Sequence, residues 1–352
     1  MRVGPPSSAL ASGLAVGVRV DVSLGPRTLA VGVPVSGLRL EWTSKRVVPA
    51  LLSYEAPLSW APSSPEDPLA RFGQRSHVTV VCEAPDGRRW ETPLGAFVHS
   101  SWSVGDRGVT VQAHDLMRVL EDDPMAWPSS PGSGATVRSE AQRLAGTVPV
   151  VLDPGVDDGP VSVSTQWTLS RTESLSKLAE SRSAGVRAGV DGCLHLYPLR
   201  DASAPDVVFT PETGLLDAPP APGRDDRTPN RWVVTGTHRE GETEEKWTAV
   251  RENTVPPFDP DSYGWVTRHE EFSAASSREA VEKAAETYMR QDLSAVVSRS
   301  IEVAADPRIE VGDVVGVVPA GEPAFAGRVV AYTLPVSEVG ASMRIDLDVL
   351  EW

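Results

Sequence analysis

The chain has 352 residues, 40% of them hydrophobic and 23% charged, a length suited to two or three domains and a composition that excludes wholesale disorder. Its 33 Lys+Arg stand against 48 Asp+Glu, a formal charge of −15, which excludes a gripped nucleic acid because phosphate binding needs clustered cations, although DNA could pass by without adhering. Apolar runs such as "VVPALL" and "VVGVV" are strand-sized, well short of the ~18 residues of a membrane span, and Cys82 and Cys193 are expected to be two buried thiols rather than a bridge or a metal site.

The N-terminus "MRVGPPSSALASGLAVGVRV" reads as a loose tail without an export signal. Residues 14–42 then alternate, with Val16, Val18, Val20 and Val22 on one face and Arg19 and Asp21 on the other, which predicts a strand. "SLGPR" is a turn, "TLAVGVPV" its hairpin return, and "LRLEW" a further strand. Proline breaks up residues 56–74. Two hairpins follow: "HVTVVCE" and "RRWETPLG" around "APDG", then "GAFVHSSWSV" and "GVTVQAHDL" around "GDR". The Pro/Gly/Ser stretch at 121–135 is a first domain boundary.

The middle segment changes character. "SEAQRLAG" predicts a short helix ending at Gly146. In "SRTESLSKLAESRSAG", Ser170 and Glu173 form a capping box, Leu175, Leu178 and Ala179 an apolar stripe, and Gly185 a C-terminal cap. "VRAGVDGCLHLYPL" is a hairpin, completing a small α/β module, and residues 217–230 are a second boundary. Beyond it lie a strand "RWVVTGTH", a long loop "RENTVPPFDPDSYGWV" and a helix over 276–293. That helix has a Ser276/Glu279 box, Glu279–Lys283 and Glu286–Arg290 pairs, and a face of Val281, Ala284, Ala285 and Tyr288. Strands in "VVSRSIEVAA" and "VGDVVGVV" precede a last hairpin, "GRVVAYTLPV" with "SMRIDLDVLEW", whose Met343, Ile345, Leu347 and Val349 share one side. Aligned from Gly95 and from Gly327, two hairpins match Val98 with Val330, Trp102 with Leu334 and Val104 with Val336, the trace expected of two related β-domains around an α/β insert. The expected fold is mainly β with α+β character, in domains 1–122, 123–228 and 229–352.

Catalytic motifs are missing: there is no H-E-x-x-H, no G-x-S-x-G and no phosphate-binding loop. A hydrolase or zinc site would have to be assembled from distant residues. His114-Asp115 is the most tempting pair, but neighbours on a strand point to opposite faces. "HEE" at 269–271 reads as solvated charge in a loop before a helix, and Asp153, Asp157 and Asp158 in "LDPGVDDGP" as a turn without EF-hand spacing. The ten tryptophans, spread over strands and loops, are core or interface anchors before they are a sugar platform. No catalytic, cofactor-binding or metal-binding residue is assigned, and no cofactor is expected.

The stretches "RVVPALLSYEAPLSWAPSSPEDPLARFGQRSHVTV", "TPLGAFVHSSWSV…VTVQAHDLMRVLEDD", "ESLSKLAESRSAGVRAGVDGCLHLYPL" and "DPRIEVGDVVGVVP…MRIDLDV", running from about residue 38 to the end, carry a resemblance. The chain resembles the tail hub family of actinobacterial siphophages, the minor tail proteins, which are similar to the baseplate hub protein of contractile phages and to tail-associated proteins. The resemblance implies two tail-tube-like antiparallel β-barrels per chain, separated by a small α/β domain. It implies a homotrimer forming a pseudo-sixfold ring that joins the tail tube or distal tail protein to a tip, fibre or spike and lets DNA through, with the tape measure protein as a further candidate partner. It places the protein in the virion at the tail tip, after synthesis in the host cytoplasm, with no catalytic residue carried over. The alternatives from other classes are a distal-tail or receptor-binding module for cell-surface carbohydrate and, behind it, a tail-tip cell-wall hydrolase.

Overall fold

Period-two alternation dominates the chain, and in the computed structural model 43% of it is strand and 17% helix, a mainly β fold. The structure describes residues 1–11, 13–106, 108–200, 204–219, 228–240, 243–256, 258–272, 277–294, 298–337 and 340–350. By contact density the chain divides into Met1–Pro219 with Arg299–Trp352, and Pro220–Ser298.

In the larger unit a short helix α1 (Ser7–Ala11) precedes β1 (Ala15–Leu24), β2 (Arg27–Ala30) and β3 (Ser36–Thr43). Val20 and Val22 are fully buried, whereas Val16 is exposed, so the apolar face of β1 enters the core only in its second half. The apolar run after β3 becomes β4 (Ala50–Ala56), which pairs with β3 on one side and with the strand Val109–His114 on the other. β5 (Gln74–Glu83) and β6 (Arg89–Val104) form the hairpin predicted at Asp86-Gly87, where Gly87 has φ 84°. β6 continues without interruption through both of its predicted segments and returns as β7 (Val109–His114). Gly95, at φ 135°, lies beside a register shift against Val78 and Thr79, a bulge that bends the long strand instead of ending it.

α2 (Met117–Asp122), α3 (Val137–Ala145), β8 (Val150–Leu152), α4 (Arg171–Glu180), β9 (Ala184–Ala188) and β10 (Leu194–Pro198) form the α/β layer, its sheet ordered β8-β10-β9. Leu120, Leu144, Leu175, Leu178 and Leu194 fill its core. α3 starts at Thr136, which exchanges hydrogen bonds with Ser139, and is followed by Gly146 as predicted. Ser170 caps α4 by accepting from the Glu173 amide at 3.1 Å, but the Glu173 carboxylate accepts from Lys177 and Thr168 rather than closing the box. Gly185 is not the cap of α4, because the helix stops at Glu180 and Ser183 takes the left-handed turn. Gly185 instead lies in β9, where a Cβ would sit 2.6 Å from the Tyr197 ring.

β11 (Val207–Phe209) and β12 (Leu215–Asp217) lead out of this unit. The smaller unit contains β13 (Arg231–Glu240), β14 (Thr243–Glu252), α5 (Pro260–Tyr263), β15 (Thr267–Phe272) and α6 (Arg278–Ser294). Its sheet is ordered β14-β13-β15 and packs Val234 and Ala249 against Val281 and Ala285 of α6. Ser276 and the Arg290 side chain, invoked above for α6, lie outside the described residues; Ser277 accepts from the Ala280 amide, and Arg278 pairs with Glu282.

The chain re-enters the larger unit as β16 (Ser298–Ala304), β17 (Val314–Val317), β18 (Phe325–Pro335) and β19 (Ser342–Leu350). Met343, Ile345 and Leu347 are fully buried, as their shared face predicts. The first half of β18 lies between β17 and β19, and beyond a register shift at Val329/Ala331 its second half pairs with β3. One 13-stranded sheet results, ordered β12-β16-β19-β18-β3-β4-β7-β6-β5-β1-β2, with β17 on β18 and β11 on β17. Among the described residues the order ends at β12 and β2, and no closed barrel is detected in it. β18 spans both strand groups and joins their apolar faces into one core running from Val20 to Leu347.

Candidate functional site

The fold does assemble a serine and a histidine from distant positions. Ser76 on β5 lies 2.7 Å through Oγ from Nε2 of His99 on β6, and Tyr54 Oη on β4 is 2.9 Å from the same Oγ. His99 Nδ1 is 2.9 Å from the Ala70 carbonyl, so Nδ1 donates, Nε2 accepts from Ser76, and Tyr54 donates to Ser76. All three side chains are buried, with His99 3% exposed and Ser76 0%. Burial pushes His99 down to about 4 and Tyr54 up to about 12. A hydroxyl sealed in the core meets no substrate, so this relay ties three strands to the loop at Ala70 and does not catalyse. Its trace in the sequence is a polar residue on an apolar face: Ser76 shares its side of β5 with Val78, Val80 and Cys82.

His114 and Asp115 do not meet. His114 Nδ1 reaches the Ala50 carbonyl at 3.2 Å, while Asp115 accepts from the Ala50 and Met117 amides at 3.0 Å each, anchoring β4 and the start of α2. Burial pushes Asp115 up to about 7 against the pull of those two amides. His114→Ala removes one half-buried side-chain hydrogen bond, so thermal unfolding should register a loss of about 1 kcal/mol; a collapse of the fold would show a larger role.

The acids of residues 152–160 diverge. Asp157 pairs with Arg182 at 3.1 Å, and Asp158 accepts from the Arg138 amide at 2.8 Å. Asp153 contacts His195 Nδ1 at 2.7 Å, and Asp191 contacts His195 Nε2 at 3.1 Å. Burial opposes a charge on His195, but the hydrogen bonds to Asp153 and Asp191 outweigh it and raise the imidazole above its ordinary range. The two carboxylates flank opposite edges of the ring and cannot converge on one cation. Among the described residues no group of three or more His, Cys, Asp or Glu is arranged to hold a metal.

His269, Glu270 and Glu271 lie on β15 rather than in a loop, with Glu270 paired to Arg268 at 2.7 Å. Trp42, Trp167 and Trp232 are buried; the indoles of Trp167 and Trp232 donate to Glu140 at 2.6 Å and to Asp292 at 2.7 Å. Trp102, Trp127 and Trp265 are exposed, the last with Arg231 stacked 3.5 Å from its ring centroid, and Trp352 lies outside the described residues. Cys82 is buried as expected, whereas Cys193 is only partly so.

What the larger unit offers outward is surface for contact. β5 pairs with β6 only as far as Val98, so the end of the β6–β7 hairpin extends past its neighbour with Trp102 and Val104 exposed. A groove of about 620 Å³, lined by Trp42, Lys45, Met117, Glu180, Tyr197 and Arg328 among others, separates the α/β layer from the β3–β18 part of the sheet.

No family model and no curated protein matches the chain. Solved structures do. A tail protein from Neisseria meningitidis MC58 is similar at TM-score 0.65 and 15% identity, over 94% of this chain and 96% of that one. The 43 kDa tail protein of prophage MuSo2 from Shewanella oneidensis is similar at TM-score 0.62 and 11% identity, over 95% and 98%. Prophage tail protein gp18 from Listeria monocytogenes EGD-e is similar at TM-score 0.55 and 10% identity, over 93% and 94%. Over nearly its whole length, then, this chain has the fold of phage and prophage tail proteins.

Proposed function

We propose that the protein is a structural subunit of a phage or prophage tail: a hub at the tail tip that trimerises into a pseudo-sixfold ring. The observation that carries this reading is the near full-length, two-way fold correspondence with tail proteins. In this reading residues 1–122 and 229–352 each supply one tube-like module, built from β1–β7 and from β16–β19, and residues 123–228 supply the α/β segment between them. The ring joins the tail tube or distal tail protein to a tip, fibre or spike, with the tape measure protein as a further contact. It is made in the host cytoplasm and works without catalysis. A charge of −15 suits a ring through which DNA moves without adhering. The open hairpin end and short edge strands supply the unpaired edges that ring closure would cover.

Negative-stain electron microscopy of the purified protein, alone and mixed with tail-tube protein, tests the proposal. Class averages with threefold symmetry, six lobes and an open centre are expected. Compact single particles under both conditions would overturn the ring.

A further inference from the structure

The most organised polar feature outside the core relay is a chain of alternating charges across the joint between the α/β layer and the main sheet. It starts at Asp191, in the turn between β9 and β10, which faces His195 Nε2 with both oxygens at 3.1 Å. On the far edge of the ring, His195 Nδ1 is 2.7 Å from Asp153, just past β8. The other Asp153 oxygen accepts from Arg187 of β9 at 3.2 Å. Arg187 also reaches Glu310, in the segment before β17, at 3.7 Å, and its guanidinium lies 4.9 Å from the centroid of the Tyr197 ring. Glu310 faces Arg2 Nε at 3.5 Å and the Met1 amino group at 3.7 Å, and that amino group lies 2.6 Å from Asp313.

We propose that His195 is the protonatable pin of an ionic latch that holds the β8–β10–β9 sheet against residues 306–313 of the main sheet, closed when the imidazole carries its charge. A neutral imidazole has one N–H, but both ring nitrogens here face carboxylates. Only the imidazolium donates to both; without the proton, one carboxylate faces a lone pair. Asp153 then loses half of its cationic support and stands near Asp191 without a positive charge between them. Other ionisable groups at the joint include the Cys193 thiol, whose own amide donates to Asp191 at 3.1 Å, Tyr197 with Arg328 beside it, the Asp306–Arg308 pair at 2.6 Å, and Asp206 with Arg200 near the Met1 amino group and Asp313.

The joint is tight at Gly312, which adopts φ 81° and where a Cβ would lie 2.2 Å from the Tyr197 ring, while a small cavity of about 30 Å³ lined by Arg2, Arg187, Gly189, Glu310 and Val311 lies beside the ion pairs. The sign follows from the raised folded-state pKa of His195. Its contribution is complete below the ordinary value of 6.5 and is lost as pH rises through the folded-state value.

The test uses the full chain from pH 5 to 9. Nitrogen-15 histidine NMR should show His195 doubly protonated past the pH at which free histidine has titrated, with Asp191→Asn shifting that midpoint downward. Amide hydrogen exchange, corrected for its intrinsic pH dependence, should speed up several-fold with rising pH in β8–β10 and in residues 306–313 together. His195→Gln should exchange at the faster rate at every pH. A neutral His195 at pH 6 would overturn the latch. So would exchange at 306–313 that is the same in wild type and His195→Gln throughout, because the ion pairs would then be local to the α/β layer.

Discussion

A chain carrying Ile309→Asp is expected to lose cooperative folding of its larger unit. Sequence pattern puts Ile309 on a core strand; the structure puts it in the turn before β17, yet fully buried in the main core, with its carbonyl accepting from Arg2 at 2.7 Å. The substitution removes an aliphatic side chain worth roughly 2–5 kcal/mol when truncated in a core. It also places there a carboxyl group with no partner, which costs several kcal/mol more or forces it to stay protonated. The sum is comparable to the roughly 5–15 kcal/mol by which a whole domain is stable. Val315→Asp should behave alike, because Val315 is fully buried between β11 and β18. Ile309→Val, costing about 1 kcal/mol, is the control. Scanning calorimetry with an unchanged transition in the Asp variants would refute the burial of this segment.

The second large effect is a pair of opposed pH dependences. His99 is held neutral at about 4, against 6.5 for the free side chain. As pH falls from 6.5 to 4 the unfolded chain takes up a proton that the folded chain refuses, so this contribution falls by about 3 kcal/mol. Asp115 acts in reverse. Raised to about 7 from 3.8, it keeps its proton in the folded state, and stability gains about 3 kcal/mol as pH falls through the same range. In the wild-type protein the two largely cancel. His99→Phe should therefore leave a protein that is weaker at pH 7, with the Ser76 hydroxyl losing its acceptor and the Ala70 carbonyl its imidazole donor, but relatively stabilised towards pH 4. Asp115→Asn should lose stability over the same range. Urea titrations at pH 7, 5.5 and 4 measure both slopes, and parallel profiles for the three proteins would show that neither group is buried as described.

Much of this was legible locally. The hairpins at Asp86-Gly87 and at residues 189–193, the caps at Ser170 and Gly146, and the shared face of Met343, Ile345 and Leu347 follow from interactions within a few residues. β14 was not legible, because its early Glu244, Glu245 and Lys246 are too polar to suggest a strand and its apolar residues, Trp247 and Ala249, come late. β15 was hidden for a related reason: a strand with alternating charged residues at the edge of a small sheet looks like a solvated loop. Of the His99 relay only the polar Ser76 on an apolar face left a trace, since the three side chains come from β4, β5 and β6 and meet only once register is set. His195 and its two acids belong to the same class, with Asp153 lying 42 residues away in sequence.

Alternation, capping and net charge are short-range or additive properties, so the β-rich class, the helices and strands of the α/β segment, the acidic balance and the lack of local catalytic motifs follow from the chain alone. Long-range pairing is what makes β18 bridge to β3, seals Ser76 and His99 away from substrate, and turns the acids around residue 153 towards separate cations. These outcomes depend on pairings such as Leu40 with Leu334, whose register is selected by burying both apolar faces at once, a condition that no single stretch of chain can meet alone.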